Sequence, residues 1–308
     1  MSRRHTPWLL PFVCTVVLFT VSLVSCSDAA APKVEPYTCV IDSKFRDLDE
    51  FPLDRAATLS ILRSLGPDKH VMLTTTQICA PEVLQVLKSS ERLALSVSKL
   101  QYDDARIQSC LLEVSEQLCS LSFYRHTNPS PETIRSLSEL SNLEHLGLNY
   151  NGVRDEALTN VGKLEKLKIL ALNKTLVTDA GVRHIAMVPG LRSLHLDGTR
   201  ITDEGARGLA EIRTLDQLQL SRTAIGDDGM AHLSRLPRLE DLDIGSTRVR
   251  AGAVSSLKTM TTLRRLVSNS VYIQEEELQK ALPDCDVQSY RETRESPSIS
   301  SARAAADK

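Results

Sequence analysis

From Leu143 to Thr262, apolar and polar positions recur with a period of 24 residues, five times and without insertion or deletion. The units start at Leu143, Leu167, Leu191, Leu215 and Leu239, and a degraded sixth copy starts at Leu263. Within a unit the apolar residues fall at positions 1, 4, 6 and 11, as at Leu191, Leu194, Leu196 and Ile201. Alternation through positions 4 and 6 is the period-2 sign of a short, half-buried strand. Thr178-Asp179, Thr202-Asp203 or Gly226-Asp227 follows, then Gly181, Gly205 or Gly229. Threonine ahead of an apolar-periodic run suits a helix N-cap, and an acidic first turn suits the helix dipole. Apolar residues at positions 16, 19 and 20, such as Val182, Ile185 and Ala186, have helical spacing. Each unit is therefore expected to run strand, turn, helix, turn. Paired strands lie about 4.8 Å apart, whereas packed helices need roughly 8–10 Å. A stack of such units must curve, with its strands on the concave side.

A fixed period with Leu-x-x-Leu-x-Leu-x-x-Thr-x-Ile-Thr-Asp-x-Gly resembles the leucine-rich repeat family. The resemblance implies an α/β solenoid, a curved horseshoe with parallel strands concave and helices convex, over roughly residues 38–290. The units look like those abundant in planctomycete and related bacterial proteins. They are also similar to repeats of eukaryotic ubiquitin-ligase adaptors, but no helical F-box is recognisable before them. Position 9 holds Asn151, Thr175, Thr199, Thr223 and Thr247. The family commonly places such a side chain there to satisfy the turn backbone, and buried backbone groups must find partners.

The flanks are less regular. Ser2-Arg3-Arg4-His5 precedes an apolar run from Trp8 to Val24, which reads as an export signal, residues 1–25. Its end, Leu23-Val24-Ser25-Cys26, resembles the bacterial lipobox, which implies lipid on Cys26 and anchorage to a bacterial envelope membrane. Ser27 after that cysteine points to the outer membrane or a periplasm-facing site. Ordinary cleavage near Ala29–Ala31 and an uncleaved anchor are the alternatives. Residues 26–37, rich in small residues and proline, read as a flexible tether. Residues 38–142 read as an N-terminal cap and three irregular units, starting at Asp68, Arg92 and Leu118. Residues 143–262 are the five regular repeats, 263–290 a degraded repeat and C-terminal cap, and 291–308 a polar tail expected to be disordered.

Length alone would allow one to three domains, but a solenoid grows linearly and the repeat overrides that prior. Aromatic content is low, 4%, since leucines fill a narrow repeat core, and the net charge of −2 gives no reason to expect nucleic acid. Of seven cysteines, Cys14 lies in the leader and Cys26 at the lipobox. Cys39, Cys79, Cys110, Cys119 and Cys285 remain, an odd number, with Cys39–Cys79 the expected pair and Cys110 expected on a buried helix face. No paired spacing of a zinc site occurs, and no metal or cofactor is expected. Asn173-Lys174-Thr175 is a glycosylation sequon that we read as repeat grammar.

The outward strand positions 3, 5 and 7 should stack into one concave surface. Candidate partner-binding residues there are His145, Asn149, Asn173, His195, Asp197, Gln219, Asp241 and Asp243, with Tyr150, Lys174 and Arg222 at position 8 on the rim. Ser193, His195 and Asp197 share a face, but alternate residues of a strand are about 6.7 Å apart and no oxyanion hole is evident. No phosphate loop or His-Glu-x-x-His motif is present. The expectation is a non-catalytic, lipid-anchored envelope protein that acts as a monomer and binds a protein or glycan on its concave face. A structural spacer of the envelope is the alternative, and an adaptor-like repeat protein a more distant one.

Overall fold

The computed structural model describes residues 59, 63, 68–74, 78–98, 104–123, 127–269 and 272–289. They belong to one compact unit, Leu53–Lys308; a second unit, Met1–Pro52, lies outside the described residues. The leader, Cys26, the tether, Cys39 and the tail therefore fall outside them.

Ten strands among the described residues pair in sequence order into a single sheet, β1 through β10. They are β1 Asp68–Thr74, β2 Arg92–Ser98, β3 Leu118–Phe123, β4 His145–Gly147, β5 Ile169–Ala171, β6 Ser193–His195, β7 Gln217–Gln219, β8 Asp241–Asp243, β9 Arg265–Val267 and β10 Asp286–Gln288. All neighbours are parallel, and from β4 to β9 the register advances by one repeat at every step, Leu146 to Leu170 to Leu194 to Leu218 to Leu242 to Leu266. β1, β2 and β3 begin at Asp68, Arg92 and Leu118. The strand β10 was not expected: Leu282, Cys285 and Val287 are buried behind it and continue the apolar pattern in what reads from sequence as a cap.

Helices alternate with the strands: α1 Pro81–Lys88, α2 Asp104–Glu113, α3 Pro131–Ser136, α4 Asp179–Ile185, α5 Asp203–Leu209, α6 Asp227–Leu233, α7 Val254–Leu257 and α8 Glu275–Ala281. This is the α/β solenoid that the period implies, with a core of leucines from positions 1, 4 and 6 running its length. One expectation needs correction. The units from Leu143 and Leu239 do not form a full helix but 3₁₀ turns, at Asp155–Leu158 and Val161–Lys163 in the first and at Ala251–Ala253 ahead of short α7 in the second. Both have arginine, Arg154 or Arg250, at the N-cap, where no side chain accepts a hydrogen bond. Thr178 and Thr202 supply that acceptor for α4 and α5.

The repeat grammar has a hydrogen-bond explanation at each polar position. The position-9 hydroxyls of Thr175, Thr199, Thr223 and Thr247 donate to the position-6 carbonyl of their own unit, at 2.7, 2.5, 2.6 and 2.7 Å. Asn151 does more, donating to Leu148 and Asn149 and reaching back to the Phe123 carbonyl. At position 13 the aspartate reaches forward. Asp155 accepts from Thr178 N at 2.8 Å and from its hydroxyl at 2.6 Å, and Asp179 does the same for Thr202. Asp203 accepts from Gly226 N and Gly229 N at 2.7 and 3.0 Å.

Gly226 stands where the two preceding units have threonine, with β-region backbone and no capping side chain. A Cβ there would lie 3.4 Å from Asp203 Oδ2, an ordinary contact, and nothing else crowds it. Gly226→Thr is expected to raise stability by about 1 kcal/mol, by capping α6, hydrogen-bonding the free Asp203 oxygen and restricting the unfolded chain. A urea midpoint equal to or below that of the parent protein would refute this account of the threonine.

Among the described residues Cys79, Cys110, Cys119 and Cys285 are free thiols, so Cys79 is not in the expected disulfide, and Cys39 lies outside the described residues. Cys110 is buried on α2, as its spacing predicted. No helix of the described residues is long and apolar enough to cross a membrane.

Candidate binding face

Strand register places position 3 of successive units side by side as Ser120, His145, Ile169, Ser193, Gln217, Asp241, Arg265 and Asp286. Position 5 follows as Ser122, Gly147, Ala171, His195, Gln219, Asp243 and Val267. His145, His195, Gln219, Asp241 and Asp243 are therefore on one face, all partly buried. Gln219 stands between His195 and Asp243. On the other side of His195 that row carries only the small residues Ala171, Gly147 and Ser122.

Polar groups of position 3, ending on Gln288 at position 5 of β10, form a chain across β6 to β10. Ser193 Oγ donates to Gln217 Oε1 at 2.8 Å, and Gln217 Nε2 donates to Asp241 Oδ2 at 3.3 Å. Arg265 donates to the same Asp241 oxygen at 3.0 Å and to Gln288 Oε1 at 3.4 Å. The Asp241 carboxylate fixes the Gln217 amide nitrogen toward itself and so aims the amide oxygen at Ser193.

That orientation decides the chemistry of the serine. Ser193 Oγ and His195 Nε2 lie 2.9 Å apart, closer than strand spacing suggested. A hydroxyl has one proton, and Ser193 spends it on Gln217. His195 Nε2 must then donate to Ser193, which makes the imidazole a donor and not a base toward this oxygen. Asp197 does not orient His195 either: it makes no hydrogen bond to that ring, and its Oδ1 accepts from Ser221 N at 2.9 Å. The three residues form part of a structural ladder, not a nucleophile relay.

Position 7, an outward column in the sequence pattern, has a second role in the structure. Asn149 Oδ1 accepts from Asn173 N, Asn173 Oδ1 from Asp197 N, and Asp197 Oδ1 from Ser221 N, at 2.7, 2.8 and 2.9 Å. Each side chain thus holds the backbone of the next unit. The recurrence of short acceptors in that column was the signal for this role. Beyond it, Ser221 donates its hydroxyl to Asp243 Oδ1, which also accepts from Gly245 N at 2.8 Å.

Position 8 bears the turn. Tyr150, Lys174, Arg222 and Ser246 have φ of 59, 58, 58 and 55°, and Gly198 occupies the same place at 65°. The left-handed geometry lets each backbone N–H bond to the next unit, as from Lys174 N to Asp197 O at 2.7 Å. At Gly198 the exposed Lys174 side chain lies over the turn, 2.8 Å from where a Cβ would sit, while the other units carry Tyr, Lys, Arg or Ser at this φ. Lys174 and Arg222 are exposed.

Electrostatics connect these groups. Burial, then the Asp243 carboxylate, pushes Asp197 up to about 6, against the Ser221 N–H and the charges of Arg222 and Lys174. Burial, then His195, pushes His145 down to about 4, and His145 Nδ1 lies 2.9 Å from Ser120 Oγ. Burial also lowers His195, against the Gln217 hydrogen bond and Asp241. The structure thus brings Asp197, Asp243, Lys174 and Arg222 into one electrostatic cluster around β6 to β8. Tyr150 and Asn149 lie two strands away. Cys26 lies outside the described residues. No group of three or more potential metal ligands occurs among the described residues.

One open parallel sheet, leucine rows at fixed period and a polar strand face define a leucine-rich-repeat solenoid. A model of the Leucine Rich repeat family matches residues 191–210, the span from β6 to the end of α5. The chain is similar to a leucine-rich repeat protein of Leptospira interrogans, at 20% identity and a TM-score of 0.44, over 68% of this chain and 57% of that one. It thus spans less than two thirds of that protein's length. No curated relative matches the sequence.

Proposed function

We propose that this chain is a non-catalytic recognition protein, held to a bacterial envelope membrane by lipid at Cys26, that binds a protein partner through its concave face. The observation that carries the reading is the cluster of Asp197 and Asp243, flanked by Lys174 and Arg222, on a rigid sheet of parallel strands. Both carboxylates use one oxygen on a backbone N–H and keep the other for a ligand. A partner segment with basic or amide groups complements them, and a few such anchors dominate an interface. A glycan, rich in hydroxyl donors, is the other ligand class for these acceptors.

A structural spacer is the second reading, and the engagement of Asn149, Asn173 and Asp241 within the repeat stack favours it. Cross-linked capture from native envelopes separates the two. Baits would be the full chain, an Asp197→Asn/Asp241→Asn/Asp243→Asn variant and Cys26→Ala. Asparagine retains the oxygen that accepts from Ser221 N or Gly245 N, so the variant keeps the stack. A partner retained by the parent and reduced at least ~10-fold by the triple variant is expected, since loss of anchor contacts of about 1.4 kcal/mol suffices. Cys26→Ala is expected in the soluble fraction. Equal recovery by all baits would leave the spacer reading.

A further inference from the structure

Away from the strands, a cavity of about 370 Å³ opens between α1 and α2, and both Cys79 and Cys110 line it, beside Lys88, Arg106, Ser109 and Glu113. The Lys88–Glu113 ion pair, at 2.8 Å, spans the two helices. Cys79 Sγ points at the Arg106 carbonyl, 3.8 Å away. In an α-helix that carbonyl also receives the N–H four residues on, which here belongs to Cys110. The Cys79 sulfur therefore sits on the helical turn that carries Cys110, and both thiols line the same cavity. Both side chains are otherwise buried. Cys119, whose thiol faces the Leu93 carbonyl at 3.4 Å, and Cys285 at the far end of the solenoid have no such neighbour among the described residues.

We propose that Cys79 and Cys110 close a disulfide across the α1–α2 seam, so that this cavity is a thiol-oxidation site. The oxidant is a small-molecule disulfide of the glutathione class, which meets Cys79 at the mouth of the cavity. Cys79 attacks one sulfur of it, the small disulfide bond breaks, and one small thiol leaves with the Cys79 proton. Cys110 then attacks Cys79 Sγ in the mixed disulfide, and the second small thiol leaves with the Cys110 proton. Two protein thiols are oxidised and one small disulfide is reduced to two thiols. Burial, then the hydrogen bond and charge of Cys79, pushes the Cys110 thiol up to about 12, so Cys79 acts first; once Cys79 is in the mixed disulfide its charge no longer opposes ionisation of Cys110, which then attacks. The product ties the irregular first unit to the second, independently of any partner on the concave face.

The test treats the native full chain with glutathione disulfide, alkylates what remains free, and maps peptides by mass spectrometry. A peptide pair joined through Cys79 and Cys110 is expected, reversed by dithiothreitol, together with roughly tenfold slower proteolysis of the α1–α2 segment. In Cys110→Ala the reaction should stop at a glutathione adduct on Cys79, and in Cys79→Ala Cys110 should stay unmodified. Alkylation of both cysteines in the treated parent, a persistent adduct on its Cys79, or a Cys39–Cys79 peptide would each overturn the proposal.

Discussion

Gly205→Val is expected to destabilise the solenoid by about 3–5 kcal/mol, because it drives a side chain into the joint between two repeats. A Cβ on Gly205 would meet Asp179 Oδ1 and lie 2.8 Å from Ile201 Cγ2. Asp179 cannot retreat freely, since its two oxygens hold Thr202 N and the Thr202 hydroxyl at 2.8 and 2.6 Å. Either the aspartate moves and leaves those donors unmatched, or α5 is pushed off its neighbour. The same joint recurs at Gly181, whose Cβ would lie 2.5 Å from Asp155 Oδ1, and at Gly229 against Asp203. In a linear array each unit contacts only its neighbours, so one failed joint splits the stack. Urea unfolding followed by circular dichroism would show an early transition or a midpoint lowered accordingly. A double-mutant cycle identifies the cause. Asp179→Ala removes the obstacle as well as the hydrogen bonds, so Gly205→Ala should cost less in that background than in the parent. Additive costs would sink the joint as the explanation. Gly190→Ala is the control, with the nearest atom at 3.6 Å and an expected cost below about 1 kcal/mol.

Asp-x-Gly illustrates what could be read before any coordinates. The period, the leucine rows and the unit starts at Asp68, Arg92 and Leu118 follow from local periodicity, because burial in a repeat imposes the same apolar pattern on every unit. The threonine caps of α4 and α5 were legible for the same reason. The partners of the polar positions were not. Asp179 reads as a helix-dipole residue within its own unit, yet it acts on the following one, and Asn149 and Asn173 read as free surface although each holds the next backbone. A single unit's sequence has no information on contacts made one repeat away. On the candidate face, the columns were assigned correctly by register, but the Gln217 orientation that commits the Ser193 proton depends on Asp241 and Arg265, three strands' worth of context. The strand β10 escaped notice because Val287 stands opposite Leu266, where leucine marks the other strands, and Asp284 falls where the regular units begin with leucine.

His145 and Asp197 are expected to impose opposite acid responses on stability. His145 titrates at about 4 in the fold against 6.5 when unfolded. Between those values the unfolded chain binds the extra proton, so stability falls as pH falls, by up to about 3 kcal/mol. His195, also lowered by burial, acts in the same direction. Asp197 titrates at about 6 in the fold against 3.8 when unfolded. Here the folded chain binds the extra proton, so stability rises as pH falls through 6, again by up to about 3 kcal/mol. His145→Gln removes one arm and keeps a hydrogen-bonding group beside Ser120. That variant should gain stability relative to the parent as pH falls from 7 to 4.5. Asp197→Asn removes the other arm while its oxygen continues to accept from Ser221 N. It should be more stable than the parent at pH 7.5 and lose that advantage by pH 4.5. Urea midpoints of the three proteins at both pH values decide the matter: the difference between variant and parent must change with opposite sign for the two substitutions. Differences that stay constant with pH would show that neither group is shifted by the concave face, and the buried charge cluster around Asp197 would lose its physical basis.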